Sequence, residues 1–254
     1  MDTKPVILFS VLVVIFIFEG IFPHRNGTRH RFQHGLPHVV TAVLNGLITR
    51  FLLLGITVLV IGWAEHRTLG LARLGALSGA GRMITVFILF DIWMYVWHRA
   101  NHQIGFLWRF HRAHHSDTAM DTTTALRFHP GELVLSTFIR LPIIVLLGMS
   151  VEELVMFELV LNISTYFHHS NLAIPDAADR ILRIVIVTPN MHRVHHSVVF
   201  DQTNSNYTSL LSVWDRLARS FRMRHDITAI TFGLPWFREE RYQRFWGFLI
   251  TPFI

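Results

Sequence analysis

The sequence predicts an all-α membrane protein, a polytopic bundle of about four to five membrane-embedded helices with a cytoplasmic helical cap that carries a polyhistidine dimetal site. Three observations favour this fold class. Hydrophobic residues make up 51% of the 254-residue chain and charged residues only 16%, which is more apolar surface than a soluble domain needs. Several apolar runs approach the roughly 20 residues that cross a bilayer as a helix. The 17 histidines are concentrated in short motifs with helical spacing.

Five apolar runs account for the predicted membrane helices. They are residues 5–22, 39–63, 83–97, 133–149 and 151–167. The first run has features of a secretory signal, but Lys4 is its only positive flank and no small-residue cleavage pattern follows, so we predict a retained span. Only Ser150 separates the last two runs, which predicts a helical hairpin that either crosses or re-enters the membrane.

The net charge of +6 indicates contact with anionic lipid rather than with nucleic acid. The arginines lie at the ends of the apolar runs, and they do not form a continuous stripe with interleaved aromatic residues. The loop 24–34 contains Arg25, Arg29 and Arg31, which places it on the cytoplasmic side by the positive-inside tendency. The chain has no cysteine, so a transition-metal site must use imidazole and carboxylate ligands.

The order of the runs places the dense histidine motifs on one face of the membrane. If the loop 23–38 is cytoplasmic, run 39–63 leads out, residues 64–82 connect on the outer side, and run 83–97 returns to end at His98. The hairpin leaves and comes back to end at His168 and His169. The more polar residues 170–230 suit a cap, and the tail from residue 237 suits an interfacial amphipathic helix. No long linker divides the chain, so a single domain over residues 1–254 is predicted.

The spacing of the histidines predicts metal ligands. Residues three and four apart share one face of a helix, so each motif can present its imidazoles in one direction. The motifs contain His98 and His102; His111, His114 and His115; and His192, His195 and His196. Neutral imidazole suits iron, zinc, copper and nickel, and these converging imidazoles exceed what one ion accepts. The pattern therefore favours two metal ions.

Most of the other histidines are interpreted as packing or surface residues. These are His24, His30, His34, His38, His66 and His225. Three of them are four residues apart, but Pro37, Gly27 and Gly35 argue against a continuous helix and favour an interfacial basic loop. His129 precedes Pro130, which predicts an extended conformation. It could be an additional ligand, a donor to a ligand or a turn residue.

Ionisable and amide side chains inside the apolar runs are costly and often functional. Asp91 lies two helical turns before His98, so it could receive the second ring N–H of a ligand histidine, or it could bond to a neighbouring helix. Glu158 and Asn162 share a helix face with His169. They could tune the site or a substrate channel, or they could pack between helices.

Other chemistries lose their usual support. The sequence has no HExxH, GxSxG or Walker motif, and no GxGxxG opens a helix after a strand. Ser197 and Asp201 lie close to histidines in the sequence. A hydrolytic triad built from them would leave most of the histidines unexplained.

Five motifs together resemble the fatty acid hydroxylase / sterol desaturase superfamily of integral-membrane di-iron enzymes. They are DIWMYVWHRANH, LWRFHRAHHS, FHHSNL, TPNMHRVHHS and SNYTSLLSVWDRL, and the region that matches the family runs from about residue 83 to residue 221. The resemblance implies an all-helical membrane fold and a cytoplasmic centre of two iron ions. It also implies oxygen-dependent hydroxylation or desaturation of a lipid such as a sterol, a fatty acyl chain or an alkylglycerol.

The resemblance assigns the family's ligands position by position. The ligand motifs fall on His98 and His102, on His111, His114 and His115, and on His192, His195 and His196. The single family histidine before Ser-Asn falls on His169, with His168 at a position that varies. Some members have a further histidine where this chain has Thr165, which leaves the coordination number of one metal open. The context TPN-HRVHH is similar to alkylglycerol monooxygenase members and FHPGE to sterol-modifying members, so both branches stay open.

The implied reaction is reductive activation of O2 at two ferrous ions, followed by removal of a hydrogen atom from an unactivated C–H bond. The chain shows no haem, flavin or ferredoxin module, so a separate electron-donor protein of ferredoxin or cytochrome type is expected. Zinc could replace iron on imidazole ligands in purified protein. The alternatives are a carotenoid-type hydroxylase and a non-catalytic metal-binding membrane protein; transport would predict more polar residues inside the spans.

Overall fold

The structure, a computed structural model, describes residues 3–26, 30–74 and 78–254. Gly27 and Arg29, on which two predictions about the first loop depend, lie outside the described residues, as does part of the predicted connection 64–82. The described chain is helical, and its extended segments form only isolated bridges, such as the one between Pro23 and Leu172. This confirms the predicted all-α class.

Fourteen α-helices are numbered here in chain order within the described residues. The first seven are α1 Lys4–Ile21, α2 Arg31–Ile48, α3 Leu54–His66, α4 Leu71–Leu74, α5 Gly79–Gln103, α6 Gly105–His115 and α7 Pro130–Leu147. The others are α8 Val151–His169, α9 Asp176–Val185, α10 Pro189–His195, α11 Phe200–Thr203, α12 Val213–Leu217, α13 Glu240–Gln243 and α14 Phe245–Ile250. A π-helical segment, Thr49–Leu53, joins α2 to α3, and 3-10 turns occupy Thr122–Leu126 and Thr251–Phe253.

Four helical segments in the described chain are long and apolar enough to cross a membrane. They are Lys4–Ile21, Arg31–Arg73, Gly79–Gln103 and Pro130–Leu147, and they overlap the first four predicted runs. This confirms a multi-pass membrane protein. Helix α8 has 19 residues but is not one of the four, since Glu152, Glu153 and Glu158 raise its polarity. Ser150 and Glu153 form a capping box at its start.

The prediction that Pro37 prevents a helix in the first loop is wrong. Helix α2 begins at Arg31 and continues through Pro37. A proline removes one helical hydrogen bond, but the first turns of α2 gain tertiary contacts that offset this loss. His38 is buried and bonds to Thr123 Oγ1 at 3.0 Å. Tertiary packing therefore overrides the local preference.

Packing inside the membrane region holds the helices that lead to the histidines. Phe90 of α5 and Phe157 of α8 are fully buried, with ring centroids 4.8 Å apart. Gly70 and Gly148 allow a close approach beside α7, because a Cβ on Gly70 would lie 2.2 Å from Gly148 Cα. Close van der Waals packing of this kind is what holds helices together in lipid. The contact between Phe90 and Phe157 fixes α5 and α8 relative to each other.

The C-terminal residues pack against the histidine-bearing helix α6. They form α13, α14 and a 3-10 turn rather than the one amphipathic helix that the sequence favours. Buried Arg127 donates to Tyr242 O at 3.0 Å, and Arg112 of α6 donates to Thr251 O at 2.7 Å. Buried backbone carbonyls need such donors, so the tail has a defined position over α6.

Candidate metal centre

Nine histidines from α5, α6, α8 and the α10 region meet at one end of the bundle. The first histidine group contains His98, His102, His111, His115 and His195. The second histidine group contains His114, His169, His192 and His196. Within each group, one nitrogen from every ring lies within 4.8 Å of all the others. Every residue that the sequence analysis named as a principal ligand therefore belongs to one of the two groups, and each group could hold a metal ion.

Helical periodicity divides the histidines of the two HxxHH motifs between the groups, whereas His98 and His102 both belong to the first group. In α6, His111 and His115 are one turn apart and share the first group, whereas His114 faces the second. The HxxHH motif at residues 192–196 shows the opposite division, with only its middle histidine in the first group. The groups are adjacent, since the His115 and His196 rings stack at 4.4 Å between centroids.

Backbone carbonyls determine which ring nitrogen is free in three of these histidines. Nδ1 of His98 lies 2.5 Å from Tyr207 O, and Nδ1 of His195 lies 2.6 Å from Ser205 O. Nδ1 of His169 lies 2.8 Å from Thr165 O. A carbonyl oxygen can only accept a hydrogen bond, so Nδ1 carries the proton in each case. Each neutral ring then presents an unprotonated Nε2.

These unprotonated nitrogens face one another. In the first group, His98 Nε2 lies 3.1 Å from His195 Nε2 and 3.1 Å from His111 Nε2. In the second group, His169 Nε2 lies 3.1 Å from His114 Nε2 and 3.0 Å from His192 Nε2. Between His98 and His195, whose Nε2 atoms are both unprotonated, the two lone pairs repel at this distance unless a cation lies between them. The donor set therefore fits metal ions.

Unpaired nitrogens in the centre support the same conclusion. Both ring nitrogens of His102, Nε2 of His115, Nδ1 of His114 and Nδ1 of His192 are buried without a hydrogen-bond partner in the described protein. Folded proteins leave few buried polar atoms unpaired. Their concentration here is expected for a centre whose remaining partners are metal ions.

The electrostatic surroundings keep the imidazoles neutral. Burial, and then the neighbouring histidines, hold the pKa well below the ordinary value for His114, His115, His192 and His196. Burial lowers the pKa of His195 to about 3 and that of His169 to about 4. Neutral imidazole is the form that binds metal. The protein therefore presents ligands in the required state at neutral pH.

Glu132 is a residue of the centre that the sequence analysis did not single out. It lies in the first turn of α7, and its Oε1 lies 2.8 Å from His111 Nδ1. A carboxylate on Nδ1 orients the ring, leaves Nε2 unprotonated and raises its basicity. The sequence contains one indication of this role, because Glu132 is the only ionised side chain in the FHPGE motif.

His129 and His168 lie outside the two groups. His129 caps the start of α7, where Nδ1 accepts from Gly131 N at 3.0 Å and Nε2 donates to Leu249 O at 3.1 Å. Both of its nitrogens are therefore engaged elsewhere. His168 is buried against the second group, with its ring centroid 4.1 Å from that of His192.

The contacts of Asp91 and Glu158 join different helices, and Asn162 bonds within its own helix α8. Asp91 Oδ2 accepts from Trp214 Nε1 at 2.7 Å, so this carboxylate attaches α12 to α5. Glu158 pairs with Lys4 at 2.7 Å, which joins α8 to α1, and Asn162 Nδ2 donates to Glu158 O at 2.6 Å. Helical spacing suggested that Asp91 could bond to His98, but the partner of Asp91 in the structure is Trp214.

A third cluster near the centre differs from the two histidine groups. His34, His38 and Asp117 lie close enough to share an ion. However, His34 bonds to Asp117 at 2.8 Å and to Asp121 at 3.0 Å, and Arg127 lies 3.1 Å from His38 Nε2. A buried guanidinium beside the cluster already supplies a cation. The cluster is satisfied by its own side chains.

The fold and the site define a multi-pass helical membrane protein with a buried polyhistidine centre that could hold metal ions. The fatty acid hydroxylase family model matches residues 83–220, more than half of the chain. The protein belongs to this family, which confirms the resemblance seen in the motifs. No solved structure matches the chain at a significant level.

Individual relatives include monooxygenases and lipid hydroxylases. Alkylglycerol monooxygenase from Danio rerio is 29% identical over 63% of this chain and 37% of its own length. Ornithine lipid hydroxylase OlsE from Rhizobium tropici is 28% identical over 56% of this chain and 42% of its own. Human alkylglycerol monooxygenase is 24% identical over 88% of this chain and 46% of its own. The chain thus spans less than half the length of these relatives.

Proposed function

We propose that this protein is a membrane-bound di-iron oxygenase that uses O2 and external electrons to hydroxylate a C–H bond of a lipid. The observation that carries the proposal is the convergence of imidazole Nε2 atoms, at 3.0 to 3.2 Å, in two adjacent groups. The names of the relatives, monooxygenase and lipid hydroxylase, support hydroxylation over desaturation.

One iron ion would be held by each histidine group, with the members of the groups as the ligands. When bound, the pair of ions would supply the O2 activation that side chains cannot perform. Glu132 and the carbonyls of Ser205, Tyr207 and Thr165 orient the rings, so the ligands are held in place before metal binds. Hydrogen bonds that hold the imidazole rings in fixed orientations are required if the metal ligands are to keep one geometry.

The first histidine group is the accessible side of the centre. His98 and His102 are partly exposed, whereas all members of the second group are buried. Phe128 stacks on His114 at 4.4 Å between centroids and covers the second group. We therefore expect the substrate chain to approach from the side of His98 and His102, while apolar packing keeps water from the second group.

The substrate class follows from the membrane setting and from the relatives. A lipid with a long apolar chain can reach the centre from the bilayer, and the relatives named above act on alkylglycerols and ornithine lipids by their names.

We place the centre on the cytoplasmic side of the membrane. Arg25 and other cationic residues follow the end of the first span that is nearer to the centre, and cationic loops are usually cytoplasmic. A ferredoxin or cytochrome would supply electrons there.

Metal analysis of protein purified from iron-supplied cells tests the proposal. We expect about two iron ions per chain in the wild-type protein. His195→Ala changes the first group and His114→Ala the second, and each variant should lose iron while its helical content is retained. The matched control is His225→Ala, because His225 is exposed and lies outside both groups. Full iron content in both ligand variants would overturn the assignment.

A substrate panel with labelled oxygen tests the reaction. Alkylglycerols, ornithine lipids, sterols, fatty acyl lipids and carotenoids are incubated with the iron-loaded protein, a reductase and a ferredoxin or cytochrome donor. Incorporation of one labelled oxygen atom into a lipid supports hydroxylation, and a product that has lost two hydrogens without oxygen indicates desaturation. A fully loaded centre that transforms none of the panel would favour the non-catalytic metal-binding alternative.

A further inference from the structure

Helix α9 exposes its apolar side and buries Asp179 of its polar side. Asp179 is fully buried, where it pairs with Arg183 one turn later. Ile181, Ile184 and Val185 are 70%, 64% and 59% exposed. A surface helix of a water-soluble cap has the opposite arrangement, with its apolar side facing the core. The outward side of α9 therefore requires an apolar environment.

The apolar surface continues onto helix α12. Leu217 is 70% exposed, and its neighbour Arg216 donates to Arg183 O at 2.6 Å at the end of α9. This bond places the exposed leucine beside the last turn of α9. A contiguous apolar surface of this kind marks a contact with a membrane or with another protein.

The start of α9 is attached to the end of a membrane span. Helix α1 ends at Ile21, and the next residues pair with the segment that leads into α9. Ala173 N donates to Phe22 O at 2.8 Å, and Pro23 forms a bridge with Leu172. Since Phe22 directly follows a span, the first turn of α9 lies at the level where that span leaves the membrane.

The end of α9 is attached to a second span. Ser212 N donates to Val185 O at 3.0 Å, and the adjacent Leu211 N donates to Asp91 Oδ2 at 3.2 Å. Asp91 lies in the middle of α5, which is one of the four candidate spans. The start of α9 is therefore joined to the end of one span and its end to the interior of another, so the helix runs beside the spans with its last turn at the deeper level.

The charges at the edge of the apolar surface match an anionic lipid surface. Arg180 and Arg219 are exposed, and long cationic side chains at such an edge extend toward lipid phosphates. Each cation near an anionic leaflet adds attraction. Together with the position of both helix ends, these charges favour a lipid leaflet over a soluble protein as the partner.

We propose that α9 and Leu217 form a lipid-contacting surface beside the spans, with the apolar side in the acyl-chain region and Arg180 and Arg219 at the phosphates of the same leaflet. Residues 186–188 connect α9 directly to α10, which carries His192 and His195. Immersion of α9 therefore fixes the depth of the histidine centre relative to the lipid. The inference does not depend on the identity of the metal or on the reaction.

Single-cysteine labelling tests the inference, because the chain has no cysteine of its own. Ile181→Cys and Ile184→Cys are labelled with a nitroxide in vesicles of phosphatidylcholine and phosphatidylglycerol. Collision with O2, which is concentrated in lipid, is compared with collision with a water-soluble nickel chelate. The lipid control is Val14→Cys, 51% exposed on α1, and the aqueous control is Thr228→Cys on an exposed loop.

The labels at 181 and 184 are expected to resemble the label at 14, with O2 collisions exceeding nickel collisions, while the label at 228 shows the reverse. An aqueous pattern at 181 and 184, with the two controls as expected, would overturn the proposal. Shielding from both reagents would also overturn it, since it would show that a protein or a second copy of this chain covers α9. The measurement needs no enzymatic activity, so its outcome is separate from that of the proposed function.

Discussion

Replacing Glu19 should loosen both histidine groups, although Glu19 is a member of neither. Its side chain is 1% exposed near the end of α1. Oε2 accepts from Thr122 N at 3.1 Å and from Asn171 N at 2.8 Å. Thr122 lies in the segment after α6, and Asn171 lies two residues after His169 at the end of α8. One carboxylate thus joins the segments that follow two ligand-bearing helices.

The expected loss of unfolding free energy follows from the number of buried N–H groups that are left without a hydrogen-bond acceptor. Glu19→Ala leaves two buried backbone N–H groups without an acceptor, and each such group costs about 1–3 kcal/mol. The combined loss is therefore about 2–6 kcal/mol before any relaxation. Glu19→Gln keeps one oxygen for these donors but loses the ion pair between Oε1 and Arg31, 2.6 Å long. The glutamine variant should therefore be intermediate, at about 1–3 kcal/mol.

The assay combines unfolding of the detergent-purified protein, iron stoichiometry and hydrogen exchange of peptides covering 117–124 and 170–173. We expect stability and exchange protection to fall in the order wild type, Glu19→Gln, Glu19→Ala, with iron content lowest in the alanine variant. The matched control is Glu65→Ala, which removes a more exposed ion pair with Arg73 and should change little. Unchanged protection of both peptides in Glu19→Ala would refute the reasoning.

Three further predictions concern other contacts of the centre and its cap. Glu132→Gln should weaken iron binding by about 10–100-fold in chelator competition, and unchanged affinity would show that the carboxylate does not support His111. Arg127→Met should increase proteolysis within residues 240–254, because Arg127 donates to Tyr242 O and Gln243 O; an unchanged cleavage pattern would contradict this. Burial, and then Arg193 and Arg25, lower the pKa of His24 to about 4, so the unfolded state binds more protons than the folded state as pH falls below about 6.5. His24→Gln should therefore lose less thermal stability than the wild type between pH 7 and pH 5, whereas the exposed control His225→Gln should follow the wild type.

Membrane spans and the grouping of the histidines could be predicted from the sequence because both depend on local spacing. Four predicted runs coincide with four candidate spans, since hydropathy over about 20 residues determines which helices can cross a bilayer. The ligand histidines follow the three- and four-residue helical repeat. The start of α2 could not be predicted, because Pro37 indicates a break and only the contacts of His34 and His38 with residues 117–123 show why the helix persists.

The supporting contacts of the centre could not be predicted because they join residues far apart in sequence. Tyr207 and Ser205 contribute backbone carbonyls. Every residue has such a carbonyl, so the residue type does not indicate which carbonyls accept hydrogen bonds from the histidines. Asp91 has a carboxylate at the right helical spacing to reach His98, yet it bonds to Trp214, 123 residues away. Spacing along one helix identifies a shared face, but it does not identify which distant segment packs against that face.

The division of ligands between the groups restricts how α6 and α10 can be arranged. Neighbouring residues on a helix point about 100° apart, so a rotation of α6 that moved His114 out of the second group would also move His111 and His115 out of the first. The 192–196 motif has the opposite division, and its rotation has the corresponding effect. Both groups can therefore form only in one arrangement of the two helices, and the contacts that hold it matter as much as the ligands. Glu19 lies on α1, outside the family match over 83–220, and its bonds to Thr122 N and Asn171 N make the first membrane helix part of the structure that supports the candidate metal centre.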